Sequence, residues 1–530
     1  MEKKSFRTMI EPKIFYPAVV LVALMVLWAA LSLDSLASFS AAFINVVKYD
    51  FGWYLNLLTT VCLVILFYFA LSKKGNIVIG GKDAKPDVGF FTYCTIVLTG
   101  GIGVGIVFWC IAEPLMHYAY TPATWGVDPE SPGAGVLALA YSFGDWAFHP
   151  YALFTIIGVA IAVAVYNYRL PFRTSSVLYP LAGEKVNGGL GYVVDVVIVV
   201  AFVLGFSTTF SLSAAQIARG LAYVFGLPAT SGVQMLIVVI MGVLCTFTCI
   251  SGIKRAISFV SNLNFGVYMY ILAFIVIVGP TLFILNIMND ASSYYFDHLI
   301  TFGLFTDAFG TSEGWYQSWP IFYWTWFIST SLILGTFTAK IARGRTIRQV
   351  ILVNMIIPSL FAIVWFSVLG GDAIYEEFYN NAGIVDDINN YGLEYAVFGT
   401  LEKLPLSGLN IPVFLIAVIL SMMTCINGMS TAISQLFQKT EYTLDGMDEP
   451  HNGAKIAAIA LLTGVALIMI ALGGASEMQT GAVAAGLPAS IITIICIISL
   501  FKLTSKKYIE QSEEKSLQEI MAADKAEKKN

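Results

Sequence analysis

One stretch of the sequence concentrates aromatic side chains that could bind a cation. From Ser318 the chain reads SWPIFYWTWFISTSLILG, in which six aromatic residues occupy nine consecutive positions. An aromatic belt at a membrane surface explains one or two such residues but not a run of this length. Aromatic faces around a cavity suit a quaternary ammonium group, which has no N–H to donate and is stabilised by ring quadrupoles. The aromatic residues of this stretch are Trp319, Phe322, Tyr323, Trp324, Trp326 and Phe327.

A second stretch concentrates glycine. The segment TGGIGVGIVFWCIAEPLMHY begins at Thr99 and carries four glycines within six positions, Gly100, Gly101, Gly103 and Gly105. Each glycine in a helix interior costs roughly 1 kcal/mol relative to alanine. The segment therefore predicts an unwound helix whose freed carbonyls face a cavity or a cation. The alternative is very close packing between helices.

Three acidic residues fall inside apolar runs, namely Glu113, Asp145 and Asp195. Acids within a membrane are costly and face a cavity or a partner. Glu113 precedes a proline and is expected at the outer end of its span, and Asp195 is expected near a span end. Asp145, beside Trp146, lies deepest and is the main functional candidate. It is expected to pair with a substrate cation, to take up a proton, or to hydrogen-bond to a neighbouring helix.

The seven cysteines and four histidines predict neither a disulfide framework nor a metal centre. Every cysteine lies in an apolar run, whereas a disulfide scaffold places its cysteines in exposed loops. Cys245 and Cys249 are one helical turn apart and are interpreted as small apolar core residues. The histidines show no metal-ligand spacing.

These residues belong to a chain with the composition of a membrane protein. Of its 530 residues, 58% are hydrophobic and 12% are charged, against roughly 25% charged in soluble domains. The mean hydropathy is +0.78. This excludes a cytosolic enzyme, a nucleic-acid binder and a disordered chain. Apolar runs of about 20 residues also exclude a β-barrel. We therefore expect an all-α polytopic membrane protein in contact with lipid.

The apolar runs predict twelve transmembrane helices. Of the 29 Lys and Arg residues, 26 fall on one side of this arrangement, which places both termini in the cytoplasm and the chain in the plasma (inner) membrane. The predicted spans lie near 14–34, 53–72, 89–118, 134–166, 189–216, 232–250, 258–288, 315–340, 349–371, 411–437, 454–473 and 479–501.

The order of the spans predicts an internal repeat. If spans three and eight are matching broken helices, each begins a block of five spans, and two odd-numbered blocks insert with opposite orientation. The acid-rich loop 372–410 is expected to be a solvated external cap. The predicted divisions are a cytoplasmic segment 1–13, two extra transmembrane helices 14–88, a first five-helix repeat 89–288, an external amphipathic helix 289–314, a second repeat 315–501 and a charged cytoplasmic tail 502–530.

The chain resembles the betaine/choline/carnitine transporter (BCCT) family along essentially its full length. The matching segments are IEPKIFYP, GGIGVGIVFWCIAEPL, LAYSFGDWAFHP, SNLN at 261–264, FYWTWFIS and ARGRTIR. The resemblance implies a leucine-transporter-like core of inverted five-helix repeats preceded by two extra helices, assembled as a homotrimer. It also implies uptake or exchange of quaternary ammonium compounds, such as glycine betaine, carnitine or choline, by alternating access.

The resemblance also implies which residues bind substrate. Two large rings of the family's aromatic box differ here, because Phe327 stands where a tryptophan is usual and Thr330 where an aromatic residue is common. Asp145 stands where histidine is common, so the box has gained an acid. The substrate-binding residues implied are Trp109, Asp145, Trp146, Phe154, Trp319, Trp324, Trp326, Phe327 and Thr330.

A sodium site is the third feature that the resemblance implies. In sodium-coupled members the ion lies between the unwound part of span three and a Thr-Ser pair in span ten. Cys425 replaces that serine, and a thiol is a poor ligand for a hard cation. The residues that match the site are Thr99, Ile102, Ser421, Thr424 and Cys425.

The resemblance to the family also bears on the coupling mechanism. Sodium-independent carnitine antiporters carry an arginine where this chain has Asn264. We therefore expect ion-coupled symport, with sodium-independent exchange or proton-coupled transport of another methylated amine as alternatives. Neither a channel filter nor a catalytic constellation is visible, so neither a channel nor an enzyme is expected, and no cofactor beyond a sodium ion.

Overall fold

The computed structural model describes residues 5–101, 104–250, 254–439, 449–473, 478–512, 519 and 521. Within these ranges the regular structure is helical, apart from isolated bridges that pair Ile10 with Gln438 and Val78 with Thr346. The expectation of an all-α protein is therefore confirmed.

The first part of the chain contains ten α-helices among the described residues. They are α1 (Phe6–Met9), α2 (Pro12–Leu31), α3 (Leu33–Asn45), α4 (Gly52–Leu71), α5 (Phe90–Gly101), α6 (Val104–Ala119), α7 (Pro132–Trp146), α8 (Phe148–Ala162), α9 (Tyr179–Ala182) and α10 (Gly189–Phe225). Short π segments extend α3 and α8, and 3₁₀ turns connect other helices. These lie at Val46–Asp50, Lys73–Asn76, Ala123–Trp125, Val163–Asn167, Thr174–Leu178 and Gly183–Asn187.

The second part of the described chain contains the helices that complete the core. They are α11 (Ser231–Ile250), α12 (Lys254–Val278), α13 (Thr281–Asp297), α14 (Leu299–Leu304), α15 (Trp315–Ser318), α16 (Pro320–Ile341), α17 (Ile347–Asn380), α18 (Ile384–Tyr391), α19 (Ala396–Lys403), α20 (Ser407–Leu436), α21 (Asn452–Leu472), α22 (Thr480–Leu503) and α23 (Lys506–Ser512). A 3₁₀ turn, Leu393–Tyr395, precedes α19.

Ten helical segments of the described chain are long and apolar enough to cross a membrane, and a bent pair brings the number to eleven. The predicted count of twelve is therefore not confirmed. The third predicted span is divided into α5 and α6, each shorter than a full span, and residues 102–103 between them lie outside the described residues. The repeat architecture stays a prediction.

The bend of this pair lies inside the predicted seventh span, 258–288. The chain turns by 109° between Asn262–Val278 and Thr281–Asp297. Pro280 has no N–H to continue a helix, so the turn falls where the sequence carries Gly279 and Pro280. The predicted start of the external helix at residue 289 falls inside α13.

The acid-rich segment 372–410 is mostly helical and partly buried. Helix α17 continues to Asn380 and buries Asp372 completely. Helix α18 buries Ile384 and Ile388 while leaving Asp386 exposed. The expectation of a solvated cap is therefore wrong for Asp372, because the spanning helix extends further than its apolar run.

Glycines set the distance between the two helices that carry most of the candidate site. A Cβ at Gly335 of α16 would lie 2.5 Å from Ile157 of α8, and a Cβ at Gly158 of α8 would lie 2.5 Å from Thr338. Real Cβ atoms do not approach this closely, so both glycines are needed for the backbones to meet. This crossing fixes the aromatic run of α16 against α8.

A structured loop between α14 and α15 positions the outer end of α16. Asp307 accepts hydrogen bonds from the backbone N–H groups of Thr311 (2.8 Å) and Ser312 (3.0 Å). Burial raises the pKa of Asp307, but the hydrogen bonds from Ser312 and Thr311 outweigh it and hold the pKa below its usual value. The ionised carboxylate therefore fixes the turn that leads into Trp315.

Candidate functional site

A cavity of about 140 Å³ lies between α5, α6, α7, α8, α10, α16, α17 and α20. Five of the nine residues predicted to bind substrate line it, which are Trp146, Phe154, Trp326, Phe327 and Thr330. Its lining is otherwise mainly apolar, and no Lys, Arg, Asp or Glu lines it among the described residues. The aromatic faces are therefore the main groups there that could contact an organic cation.

Four of these rings meet edge to face. The ring of Trp146 lies 5.9 Å from that of Trp326 at 89° and 5.6 Å from that of Phe327 at 88°. Phe154 meets Phe327 at 5.6 Å and 83°. We call these four residues the aromatic cage. Perpendicular rings present both faces and edges to one volume, which is how aromatic side chains surround a cation.

One glycine of the glycine-rich segment makes room for the cage. A Cβ at Gly105 would lie 2.6 Å from Trp326 Cη2 and 3.1 Å from Trp146 Cη2. Any side chain at this position would displace a cage ring. Gly105 thus has a packing role at the site. Gly103 lies outside the described residues.

The other predicted aromatic residues lie outside the cavity lining. Trp324 is buried on another face of α16, where its indole N–H donates to Asn56 Oδ1 at 2.7 Å. Trp109 and Trp319 pack against each other with centroids 5.5 Å apart. Trp319 also lies 4.6 Å from the ring of His117. Trp109, Trp319 and His117 therefore form an aromatic group of their own outside the cavity lining.

Asp145 lies in a buried group that the sequence did not reveal. One ligand atom each from Glu113, His117 and Asp145 lies within 4.8 Å of the others. We call these three residues the acid cluster. Glu113 is fully buried and lies in the C-terminal half of α6. The available signal was the spacing of Glu113 and His117, which places them one turn apart on a helix.

The acid cluster is connected to the cage by hydrogen bonds. The indole N–H of Trp146 donates to Glu113 Oε2 at 2.7 Å, and the hydroxyl of Tyr323 donates to the same oxygen. His117 Nε2 lies 3.6 Å from Glu113 Oε1. A cage residue therefore touches the ligand cavity with its ring and the acid cluster with its N–H.

Asp195 has a different environment. It is fully buried, and Arg173 Nη1 lies 3.5 Å from its Oδ2. Asp195 lies near the start of α10, in agreement with the expectation of a place near a span end, and its guanidinium partner lies within the protein. This pair ties α10 to the segment that precedes the Thr174–Leu178 turn.

A second cavity of about 360 Å³ adjoins the first. The two share the lining residues Leu334, Phe337, Cys425 and Met429. The second cavity extends to Lys340, which is exposed near the ARGRTIR segment. The second cavity thus lies next to the cage cavity, on the side that the sequence predicts to be cytoplasmic.

Three residues of the predicted sodium site line this second cavity, which are Ser421, Thr424 and Cys425. Ser421 Oγ accepts a hydrogen bond from Asn264 Nδ2 at 2.8 Å and also bonds to the hydroxyl of Tyr268.

The hydroxyl of Thr424 donates to the Leu420 carbonyl at 2.9 Å. Both hydroxyls of the predicted site thus have partners within the protein. Ile102 lies outside the described residues, and only the backbone of Thr99 is described, in α5.

A family model and the curated relatives of this chain point to the same family of transporters. The model of the "BCCT, betaine/carnitine/choline family transporter" matches residues 13–509. The glycine betaine transporter OpuD of Bacillus subtilis (strain 168) is 32% identical over 495 residues, covering 93% of this chain and 94% of that protein.

Two further relatives match over a similar extent. The ectoine/hydroxyectoine transporter of Virgibacillus pantothenticus is 30% identical over 505 residues, covering 94% of this chain and 98% of that protein. A probable glycine betaine transporter of Desulfitobacterium hafniense (strain Y51) is 28% identical over 494 residues, covering 92% and 96%.

Proposed function

The chain belongs to the betaine/carnitine/choline transporter family, and from that premise we propose that it carries a quaternary ammonium compound across the plasma membrane by alternating access. It is a multi-pass membrane transporter and not an enzyme. The substrate class proposed is that of glycine betaine, carnitine or choline.

The aromatic cage is the observation that supports this substrate class. Trp146, Phe154, Trp326 and Phe327 contribute to a cavity that no Lys, Arg, Asp or Glu of the described chain lines. A primary ammonium would lose its hydrogen bonds to water there without replacement. A methylated ammonium has no N–H to satisfy and gains ring contacts, each contributing about 0.5–2 kcal/mol.

The changes in the cage bear on which compound binds best. Thr330 lines the cavity where an aromatic residue is common, and its hydroxyl donates to the Trp326 carbonyl at 2.9 Å. The cage therefore presents fewer rings and more open volume beside Phe327. A zwitterion such as glycine betaine can place its carboxylate toward that space while the methylated head remains among the rings.

Ion-coupled symport is the proposed mode of transport. Exchange without an ion is the second candidate, but it is disfavoured because Asn264, not an arginine, lines the second cavity. Sodium at Ser421, Thr424 and Cys425 is one form of this coupling. The distribution of Lys and Arg supports cytoplasmic termini, and the family resemblance supports a homotrimer.

Uptake into liposomes tests the proposal. The purified full-length chain is reconstituted and supplied with radiolabelled glycine betaine, carnitine, choline or ectoine. Saturable uptake of at least one of the first three, competed by the unlabelled compound, is the expected result. Uptake of ectoine alone would refute the substrate class, and uptake of none would refute the transport proposal.

A further inference from the structure

We propose that Glu113, His117 and Asp145 form a proton-binding site and that the proton is the coupling ion. The inference rests on the proposed function as an ion-coupled transporter and adds the identity of the ion and its residues. The three side chains are 0%, 2% and 4% exposed, so water does not solvate them as it would a surface cluster. Their ligand atoms converge within 4.8 Å.

Each of the three side chains has one buried polar atom that no hydrogen bond satisfies among the described residues. Glu113 Oε1, His117 Nε2 and Asp145 Oδ2 are buried and lack a hydrogen-bond partner among the described residues. A buried polar atom without a partner carries a penalty of about 1–3 kcal/mol. Three such atoms at one point therefore indicate a species that binds between them.

Charge identifies that species as a cation. None of the ion pairs among the described residues joins Glu113 or Asp145 to a lysine or an arginine. An oxygen of each carboxyl group lies within 4.8 Å of the other. A hydrogen bond between two carboxyl groups requires one of them to be protonated. The smallest cation that satisfies both is the proton itself.

The hydrogen bonds around the cluster assign a place to the proton. Glu113 Oε2 accepts from both the Trp146 indole and the Tyr323 hydroxyl. Two donors on one oxygen stabilise a carboxylate more than a neutral acid. The proton therefore resides on Asp145, which faces the Glu113 carboxylate.

His117 completes the site in its neutral form. Trp315 Nε1–H donates to His117 Nδ1 at 3.2 Å, which makes Nδ1 an acceptor. The ring proton then lies on Nε2, 3.6 Å from Glu113 Oε1. A fixed tautomer of this kind leaves Nε2 as the N–H nitrogen without adding a charge.

Other titratable groups come from the helices packed around the cluster. Asp372 of α17 lies 2.8 Å from the position of a Cβ at Gly279, and His149 of α8 lies 2.5 Å from the position of a Cβ at Gly303. The hydroxyls and the thiol that surround the cluster come from α6, α7, α13 and α16. They belong to Cys110, Tyr141, Tyr295 and Tyr323.

The link between proton and substrate is the indole of Trp146. Its ring lines the ligand cavity and its N–H holds Glu113. Because the indole is rigid, a substrate that shifts the ring also shifts the donor. Loss of that donor disfavours the Glu113 carboxylate, so the pair retains its proton more firmly when substrate is bound. By linkage, the proton in turn strengthens substrate binding.

The cycle moves one proton and changes no covalent bond of the substrate. Water on the outer side supplies the proton to the carboxylate pair, whose charge falls from two negative charges to one. After reorientation the substrate leaves, Trp146 returns to Glu113, and the proton passes to water on the inner side. Substrate and proton thus move in the same direction.

The test measures protons and substrate together. Full-length protein is reconstituted in sodium-free liposomes that contain a pH-sensitive dye, and radiolabelled glycine betaine is added outside. We expect about one proton to enter per betaine, with accumulation driven by an alkaline interior. Asp145→Asn and Glu113→Gln should each lower the proton-to-betaine ratio at least about tenfold, because amides bind no proton at this pH. Asp372→Asn, a buried acid outside the cluster, is the matched control and should keep the ratio.

Each other outcome has a defined meaning. Betaine entry without protons, unchanged ratios in both cluster variants, or a requirement for sodium or a chelatable metal would overturn the proton site. Absence of uptake for betaine, carnitine and choline alike would instead overturn the proposed function.

A second measurement does not depend on transport. Infrared difference spectra of purified protein, recorded on raising the pH, should show loss of protonated carboxyl carbonyl bands from the buried acids. One of these bands should be absent in Asp145→Asn and present in Asp372→Asn. An identical set of bands in wild type and Asp145→Asn would contradict the assignment.

Discussion

Two buried acidic sites lie in the same helical core and differ in what balances their charge. Asp195 has a fixed partner, because Arg173 lies 3.5 Å away. Glu113 and Asp145 form no ion pair with Lys or Arg among the described residues, and their connection is to the aromatic cage through Trp146. Burial alone therefore does not identify a functional acid; the partner does. In this comparison Asp195 belongs to a structural pair, whereas Glu113 and Asp145 combine the lack of a fixed cation with a direct hydrogen bond to a cage residue.

The largest expected effect concerns the structural pair. Arg173→Met leaves the fully buried Asp195 without its partner, and removing one member of a buried pair typically costs about 3–5 kcal/mol. We expect a clear fall in the thermal midpoint of the detergent-solubilised protein. Asp145→Asn should change that midpoint little, since no fixed cation loses its partner.

The double variant Arg173→Met with Asp195→Leu controls for the arginine side chain itself. It should recover most of the lost stability, because both charges are removed together. Equal destabilisation by Arg173→Met and Asp145→Asn would erase the distinction between the two sites.

The second prediction concerns the packing of the cage. In Gly105→Ala the new methyl group would meet Trp326 at 2.6 Å, so the ring must move. Forced overpacking typically costs about 1–3 kcal/mol, and we expect glycine betaine binding to weaken by an amount in this range. Binding is measured by isothermal titration calorimetry. Gly266→Ala, where a Cβ meets nothing within 4 Å, is the control, and an equal loss in both variants would argue against a specific role for Gly105.

The third prediction separates two tryptophans of the same helix. Trp326→Ala removes a cage face and should weaken betaine binding by about 1–2 kcal/mol. Trp324→Phe removes the donor to Asn56 and should lower thermal stability while leaving the affinity close to wild type. If Trp324→Phe weakens binding as much as Trp326→Ala, the cage has been assigned to the wrong face of α16.

The smallest expected effect concerns the predicted sodium site. The Ser421 and Thr424 hydroxyls are hydrogen-bonded within the protein, and Cys425 supplies sulfur where a hard cation prefers oxygen. Thr424→Ala and Cys425→Ser should therefore change the sodium dependence of uptake less than about twofold. A sodium requirement that Cys425→Ser relieves and Thr424→Ala aggravates would restore sodium as the coupling ion.

The sequence alone predicted the class of the protein and part of its site. Composition and apolar runs predicted a helical membrane protein, because burial in lipid leaves a strong signal in every span. The aromatic run located Trp326, Phe327 and Thr330 at the cavity. It could not separate them from Trp324, because a helix turns through 3.6 residues and sends consecutive rings in different directions.

The acid cluster could not be predicted from the sequence, because it depends on tertiary packing. Glu113 and Asp145 lie in different helices, and α6 must pack against α7 before their carboxyl groups can meet. The pairing of Arg173 with Asp195 could not be predicted for the same reason, since it depends on how the chain folds back between them. The predicted seventh span did not anticipate the bend at Gly279 and Pro280, because a continuous apolar run does not show where a helix turns.

The dependence of substrate binding on pH tests the central claim most directly. The dissociation constant of glycine betaine is measured by calorimetry across the range in which the protein stays folded, for wild type, Asp145→Asn and Asp372→Asn. Because the proton and the substrate strengthen each other's binding, affinity in wild type and in Asp372→Asn should fall as pH rises and the cluster loses its proton. In Asp145→Asn the affinity should be independent of pH. A pH profile in Asp145→Asn that matches wild type would contradict the claim that this buried acid carries the coupling proton.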